Sequence, residues 1–310
     1  MKSLDPGLSP ARKALLAELV ATVAAELHTL PDKPEENAEA TVRALWHKAA
    51  GRPLCAETAS QTALPILDDK SQAELQNLIS KRLVGTPLAY LTGRQQFMNI
   101  ELLADARALI PRKETELLGY TALNLLTEIS KKAAEPLHAI DLCTGAGNLA
   151  CTLAAHIPQI HITGSDISSA ALACAMDNRT FLNLNLQRVA FVASDLLNAF
   201  NPGVCRQKIA MIICNPPYIS GAKVTQLADE IIQHEPREAF NGGPLGLSIL
   251  TRLVKEGADY LADNGWICCE VGLGQGKWLA QRFERTGNYQ RIQTVCDSVG
   301  EIRVVTAQRN

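Results

Sequence analysis

No two cysteines in this chain are spaced C-x-x-C, and the nine it has, at positions 55, 143, 151, 174, 205, 214, 268, 269 and 296, follow no framework spacing. That argues against a disulfide scaffold and leads us to expect reduced thiols, as in a cytosolic protein. The six histidines, at 28, 47, 138, 156, 161 and 234, share no ligand spacing with those cysteines, so no metal site is expected. Charge of one sign is also lacking. Lys plus Arg total 30 against 32 Asp plus Glu, a net charge of -2, so no global field draws the chain to nucleic acid. No apolar run is long enough to span a bilayer, and Met1 to Pro10 carries no apolar signal core, so a cytoplasmic protein is expected. Internal repeats and low-complexity segments are missing too.

What is present is a chain of 310 residues, 47% hydrophobic, enough for about two domains with a substantial core. Ser9-Pro10 reads as an N-cap and first turn, followed by Leu16, Leu19, Val20, Val23 and Leu27 at helical spacing. Breaks at Pro31 to Pro34 and Gly51-Arg52-Pro53 separate further helical stretches, about Glu36 to Ala50 and Lys70 to Leu83. Residues 1–87 are therefore expected to form a helical domain. Residues 1–90 hold 10 Lys plus Arg and 11 Asp plus Glu, which suits a protein-recognition module better than a nucleic-acid arm. Residues 88–130 read as a β-hairpin, from pieces at Gln95 to Leu103 and Ala108 to Ile110, and a linker helix from Glu114 to Lys131. In residues 131–310 strands and helices alternate, the pattern of an α/β fold with a mostly parallel sheet and helices on both faces.

The most informative strand in that series is Ile209-Ala210-Met211-Ile212-Ile213-Cys214, which runs straight into Asn215-Pro216-Pro217-Tyr218. A β-branched apolar run ended by prolines reads as a buried parallel strand, and open α/β sheets bind ligands at the carboxyl ends of such strands. Asn215 offers a carbonyl acceptor, and Pro216 has a carbonyl but no N–H, so the pair can hold an NH2 group. Tyr218 could cover a planar substrate by stacking.

The preceding strand ends point to a nucleoside. The first ends in Asp141-Leu142-Cys143-Thr144-Gly145-Ala146-Gly147-Asn148, a glycine turn that admits close approach of a ligand. Asp166, about 20 residues further on at the end of the next strand, is placed to receive a ribose hydroxyl pair. Ser194-Asp195-Leu196 ends the third strand, where an acid could meet an adenine amino group and Leu196 could pack on its ring. The turn lacks the full G-x-G-x-x-G of a dinucleotide site, and Asp141 would repel phosphate while attracting an amino-bearing ligand. S-adenosyl-L-methionine fits that description.

From about Pro87 onward the chain resembles the HemK/PrmC family of S-adenosylmethionine-dependent methyltransferases, which methylate the side-chain amide nitrogen of glutamine in peptide-chain release factors. The resemblance rests on Pro87-Leu88-Ala89-Tyr90-Leu91-Thr92-Gly93 with Phe97, Leu109-Ile110-Pro111-Arg112 with Glu114-Thr115-Glu116, the Asp141 to Gly147 turn and Asn215 to Tyr218. Glu235-Pro236 with Ala239, Gly242-Gly243 with Gly246, and Glu270-Val271-Gly272 with Gln275-Gly276 match as well. Cys143 stands where the family has glycine, Lys113 where it has proline, Met98 where it has an aromatic residue, and Pro244-Leu245 before Gly246 also departs from it.

The resemblance implies a Rossmann-like class I methyltransferase sheet with a small N-terminal helical domain and a hairpin linker. It implies that Asp141, Cys143, Thr144, Gly145, Ala146, Gly147, Asp166, Asp195, Leu196 and Asn215 bind the cofactor. Asn215, Pro216, Pro217, Tyr218 and Phe97 would bind the substrate, with Asn215, Pro216 and Tyr218 carrying catalysis. The acceptor it implies is a release-factor glutamine. Methylation of a small molecule or another protein by a relative, or of a nucleic-acid amino group, stays open at this point.

Overall fold

The computed structural model describes residues 5, 7–27, 32–131, 133–205, 208–218, 229–236, 240 and 247–310. His28, Pro31, Ala239, Gly242, Gly243, Pro244, Leu245 and Gly246, which entered the sequence argument, lie outside them.

Five helices come first: α1 (Pro10–Glu26), α2 (Ala38–Ala49), α3 (Ala56–Gln61), α4 (Asp69–Leu83) and α5 (Leu88–Thr92). Ser9, Asn37 and Asp68 cap α1, α2 and α4 by accepting from backbone N–H groups three residues on, which satisfies donors a helix start leaves bare. Trp46, Leu45, Leu75 and Val23 meet in one apolar cluster among these helices. The short helices α3 and α5 have too few turns to display a helical period, and for that reason were not expected.

The hairpin differs from expectation. Both of its strands, β1 (Arg94–Phe97) and β2 (Ile100–Leu103), lie inside the first of the two pieces, and residues 108–110 form no strand. Met98 and Asn99 turn the chain with φ of 49° and 62°, the left-handed pair of a tight type I′ turn. Methionine is a poor residue for that conformation. Here it is held because its side chain is fully buried and its N–H donates to Glu116.

Helix α6 (Glu116–Ser130) leads into the main sheet, formed by β3 (Leu137–Leu142), β4 (Ile160–Asp166), β5 (Val189–Ala193), β6 (Ile209–Cys214), β7 (Leu261–Glu270), β8 (Tyr289–Cys296) and β9 (Ile302–Arg309). The spatial order is β5-β4-β3-β6-β7-β9-β8, parallel except that β9 runs antiparallel to both of its neighbours. Helices α7 (Asn148–His156), α8 (Ser169–Phe181), α9 (Pro202–Cys205), α10 (Asp229–His234), α11 (Ser248–Glu256) and α12 (Gly276–Thr286) connect or follow the strands.

β6 is buried along its whole length, as a central strand covered on both faces must be. Its side chains alternate: Met211 and Ile213 enter one core with Leu118, Leu126 and Leu153, while Ile212 and Cys214 enter the other with Leu250, Leu279 and Phe283. The chain runs outward from β3 through β4 to β5, then returns to place β6 on the opposite side of β3. This reversal opens a crevice at the carboxyl ends of β3 and β6, the usual ligand position in such sheets. No helix among the described residues is long and apolar enough to cross a membrane.

Candidate active site

The crevice is a cavity walled by Cys143, Thr144, Gly145, Ala146 and Asn148 after β3, by Asp166, Ile167 and Ser168 after β4, and by Ser194, Asp195 and Leu196 after β5. Asn215 and Pro217 close it after β6, and residues 107–112 with Thr115 form the remaining wall. Register explains the meeting of distant residues: Leu142 pairs with Cys214 and with Ser165, so the turns that follow these strands emerge side by side.

The glycine turn is built from below by Asp141. Its Oδ2 accepts from the Thr144 hydroxyl at 2.6 Å and from the Ala150 N–H at 3.2 Å, tying the turn to the first turn of α7. The carboxyl is fully buried, and that burial raises its pKa to about 7. It does not line the cavity, which corrects the expectation of a ligand-facing acid: the side chain organises the turn and never reaches its open side.

The two glycines of the turn divide the work. Gly145 has φ of 53°, and a Cβ there would meet nothing within 4 Å because it would point into open space. Gly147 has φ of 74°, but a Cβ there would lie 2.9 Å from Ala175 Cβ and 3.0 Å from the Phe191 ring. Gly147 is absent from the cavity wall, and its glycine is demanded by packing against α8 and β5. Cys143 lines the cavity with φ of 56°, a conformation that costs a side-chain-bearing residue about 1–2 kcal/mol.

Asp166 spans the crevice. One oxygen accepts from the Gly145 N–H and the other from the Ser168 N–H, each at 2.9 Å. Each oxygen retains a lone pair for a ribose hydroxyl. The same bond rules out a pyrophosphate cradle, since the N–H a phosphate would need is already held by a carboxylate. The two arginines in the wall are also committed, Arg107 to Asp105 and Asp177, and Arg112 to Glu235 and Asp32. Asp195 reaches the rim, where Arg252 Nη1 binds its two oxygens at 2.8 and 2.9 Å. Leu196 is buried and contributes apolar wall beside it. An open glycine, a carboxylate with lone pairs to spare and an apolar wall, with no uncommitted cation among the described lining residues, suit a nucleoside with a sulfonium or amino group better than one with phosphates.

On the β6 side, Asn215 Nδ2 donates to Thr115 Oγ1 at 3.0 Å. Pro216 is buried and does not line the cavity, whereas Pro217 does. Tyr218 does not line the cavity: its hydroxyl lies 3.1 Å from Glu270 Oε1 and 3.3 Å from Glu114 Oε1, and accepts from Arg303 at 3.4 Å. Gln275 Nε2 donates to the Tyr218 carbonyl at 3.1 Å. Phe97 is a clear correction. It is fully buried in the core with Leu118 and Leu126 and does not line the cavity, because the tight turn at Met98 and Asn99 brings the hairpin down on α6.

Sequence reasoning did not single out Thr115 or Glu270 as site residues. Glu270 is fully buried at the end of β7, and burial, with Glu114 nearby, raises its pKa to about 7 against the pull of Thr115, Arg303 and Tyr218. A carboxylate directly after the apolar run Trp266–Cys269 was the available signal. Among the described residues no group of three or more His, Cys, Asp or Glu side chains could hold a metal ion.

A family model described as Methyltransferase small domain matches residues 120–255. The chain is 34% identical over 250 residues, 80% of its own length and 86% of the relative's, to "Release factor glutamine methyltransferase" of Thermodesulfovibrio yellowstonii. To the protein of the same description from Rhodopirellula baltica it is 31% identical, covering 78% of this chain and 80% of that one. Among solved structures, the hMettl16 catalytic domain in complex with MAT2A 3'UTR hairpin 6 superposes with a TM-score of 0.52 at 12% identity, over 75% of this chain and 91% of that one. At that identity the likeness concerns the fold alone.

Proposed function

Since the chain belongs to the release factor glutamine methyltransferase family, we propose that it transfers a methyl group from S-adenosyl-L-methionine to the side-chain amide nitrogen of a glutamine in a peptide-chain release factor. The observation that carries this reading is Asn215. Its amide nitrogen is engaged behind it by Thr115, which leaves Oδ1 as an acceptor at the edge of the cofactor cavity.

When bound, the cofactor supplies an electrophilic methyl group. Asp166 would take its ribose hydroxyls, Leu196 would pack on its base, and the backbone over Gly145 would lie against the sugar and methionine portion. The remaining work is orientation. An amide nitrogen is a weak nucleophile because its lone pair is delocalised, so a site that fixes it in line with the methyl removes much of the barrier. Asn215 Oδ1, with the Pro216 carbonyl, would accept the amide N–H bonds and stabilise positive charge as it develops. Tyr218, held by Glu270 and Gln275, would form one side of the acceptor slot.

The helices before Pro87 would meet the body of the release factor. In support, the buried pairs Lys33–Glu230 and Arg82–Glu230, at 3.0 and 2.8 Å, join them to the segment carrying α10, downstream of the Asn215 loop. A cytoplasmic setting follows from such a substrate. The test is incubation with labelled S-adenosylmethionine and a release factor bearing a Gly-Gly-Gln loop, beside the same factor with that glutamine replaced. Label in the first alone is the expected result, and label in neither, with cofactor bound, would overturn the assignment.

A further inference from the structure

A carboxamide has two ends of nearly the same shape, and which end faces a substrate is decided by what holds the other. Asn215 can bind an NH2 group only if its oxygen faces outward. The selecting partner is Thr115, whose hydroxyl makes the one hydrogen bond found for the Asn215 side chain among the described residues.

Thr115 is an unusual cap. It occupies the N-cap of α6, where a threonine hydroxyl ordinarily accepts from a backbone N–H of the first turn. Here it makes no such bond, adopts φ -70° and ψ -18°, and turns its hydroxyl to Asn215 instead. The first turn is anchored otherwise, through Glu116 accepting from the Met98 N–H. A local preference set aside in this way marks a position shaped by something other than helix stability. Thr115 is also almost fully buried, lines the cofactor cavity, and stands beside the buried carboxyl of Glu270. That carboxyl offers the threonine hydrogen an acceptor, so Oγ1 presents a lone pair to Asn215. The other end of the loop is held through Tyr218 by Arg303, Gln275 and the same Glu270 carboxyl.

We propose that Thr115 is a positioning residue for methyl transfer, setting the Asn215 carboxamide with Oδ1 toward the acceptor nitrogen. The proposal rests on the functional reading above but is tested apart from it. Thr115→Val keeps the shape and removes the hydroxyl; Thr115→Ser keeps the hydroxyl. With the release factor as acceptor, kcat should fall about 10- to 100-fold in the valine variant, with a much smaller change in cofactor affinity, and recover in the serine variant. In an Asn215→Ala background Thr115→Val should add nothing further. Unchanged kcat in Thr115→Val, or full additivity with Asn215→Ala, would overturn the proposal.

A second readout needs no acceptor. In protein labelled with 15N-asparagine, the Asn215 side-chain signals, identified by their loss in Asn215→Ala, should move in Thr115→Val and stay in place in Thr115→Ser. Signals unmoved by valine refute the role of Thr115 whatever the chain methylates. Moved signals in a chain that leaves the release factor unlabelled would support Thr115 and count against the substrate instead.

Discussion

Asn215 and Thr115 are joined by a single 3.0 Å hydrogen bond between the end of the central strand β6 and the start of α6. The bond fixes a side chain whose function, on our reading, lies entirely in its other end. Asn215→Ala should therefore leave cofactor binding nearly intact while lowering turnover about 100- to 1,000-fold, the scale seen when one preorganised polar group is removed from a reacting centre. Calorimetry with the cofactor and single-turnover methylation separate the two effects.

Asp166→Ala should act in the opposite way. The carboxylate anchors both Gly145 and Ser168 and faces the cavity, so its loss would loosen the turn and remove the hydrogen bonds we propose it makes to a ribose. Cofactor affinity should fall about 10- to 100-fold. An unchanged dissociation constant would contradict its assigned role.

The two glycines of the turn should separate under the same substitution. Gly145→Ala adds a methyl group to open cavity space, so the fold should survive with a loss of about 1–2 kcal/mol from the positive φ, while cofactor binding suffers. Gly147→Ala also forces contact with Ala175 and Phe191, and should cost about 2–4 kcal/mol. Denaturant unfolding without cofactor measures both.

Glu270 gives a pH signature. Burial raises its pKa from 4.5 to about 7 in the folded chain, with Glu114 adding to the shift and Thr115, Arg303 and Tyr218 opposing it. The folded state thus holds a proton that the unfolded state releases near pH 4.5. The stability this contributes is present below that pH and is lost as pH rises through 7. Glu270→Gln keeps a carbonyl oxygen for Tyr218 and removes the titration. Its melting temperature relative to the parent should rise between pH 5 and pH 8 by about 2–5 °C, and a pH-independent difference would refute the assignment.

Removing Glu230 should be costly. Lys33 and Arg82 are almost fully buried, and Glu230 binds both. Burial by itself would raise the Glu230 pKa, but the two cations outweigh it and hold the carboxyl low. Glu230→Ala leaves two buried cations with Glu36 as their one carboxylate partner among the described residues and should destabilise the chain by about 3–5 kcal/mol, read by thermal or denaturant unfolding.

The alternating pattern after residue 131 announced the sheet because the central parallel strand β6 is buried on both faces, β3 nearly so, and such strands read as short apolar runs between helices. The Asn215 loop and Asp166 were legible for the same reason: polar residues at the ends of such runs stand out. Thr115 did not stand out, since a threonine before a helix is an ordinary cap, and only the direction of its hydroxyl distinguishes it. Asp141 and Gly147 were visible, but that neither lines the cavity was not, because sequence gives a residue's place in a turn and not which side of the turn it faces. Phe97 was misplaced through the hairpin, whose turn contains no Asn-Gly or Asp-Gly signal.

The reversal of strand order also dictates how the two halves of the site come into being. The cavity-lining turns after β3, β4 and β5 are all encoded by residue 196, and those strands can pair in the order in which a ribosome delivers them. β6 must then dock beside β3, and Asn215 must find a threonine 100 residues behind it. Contacts of such separation close late and slowly. A nascent chain can thus assemble its donor half before it has any means of presenting an acceptor, and methyl transfer becomes possible only after the central strand is in place.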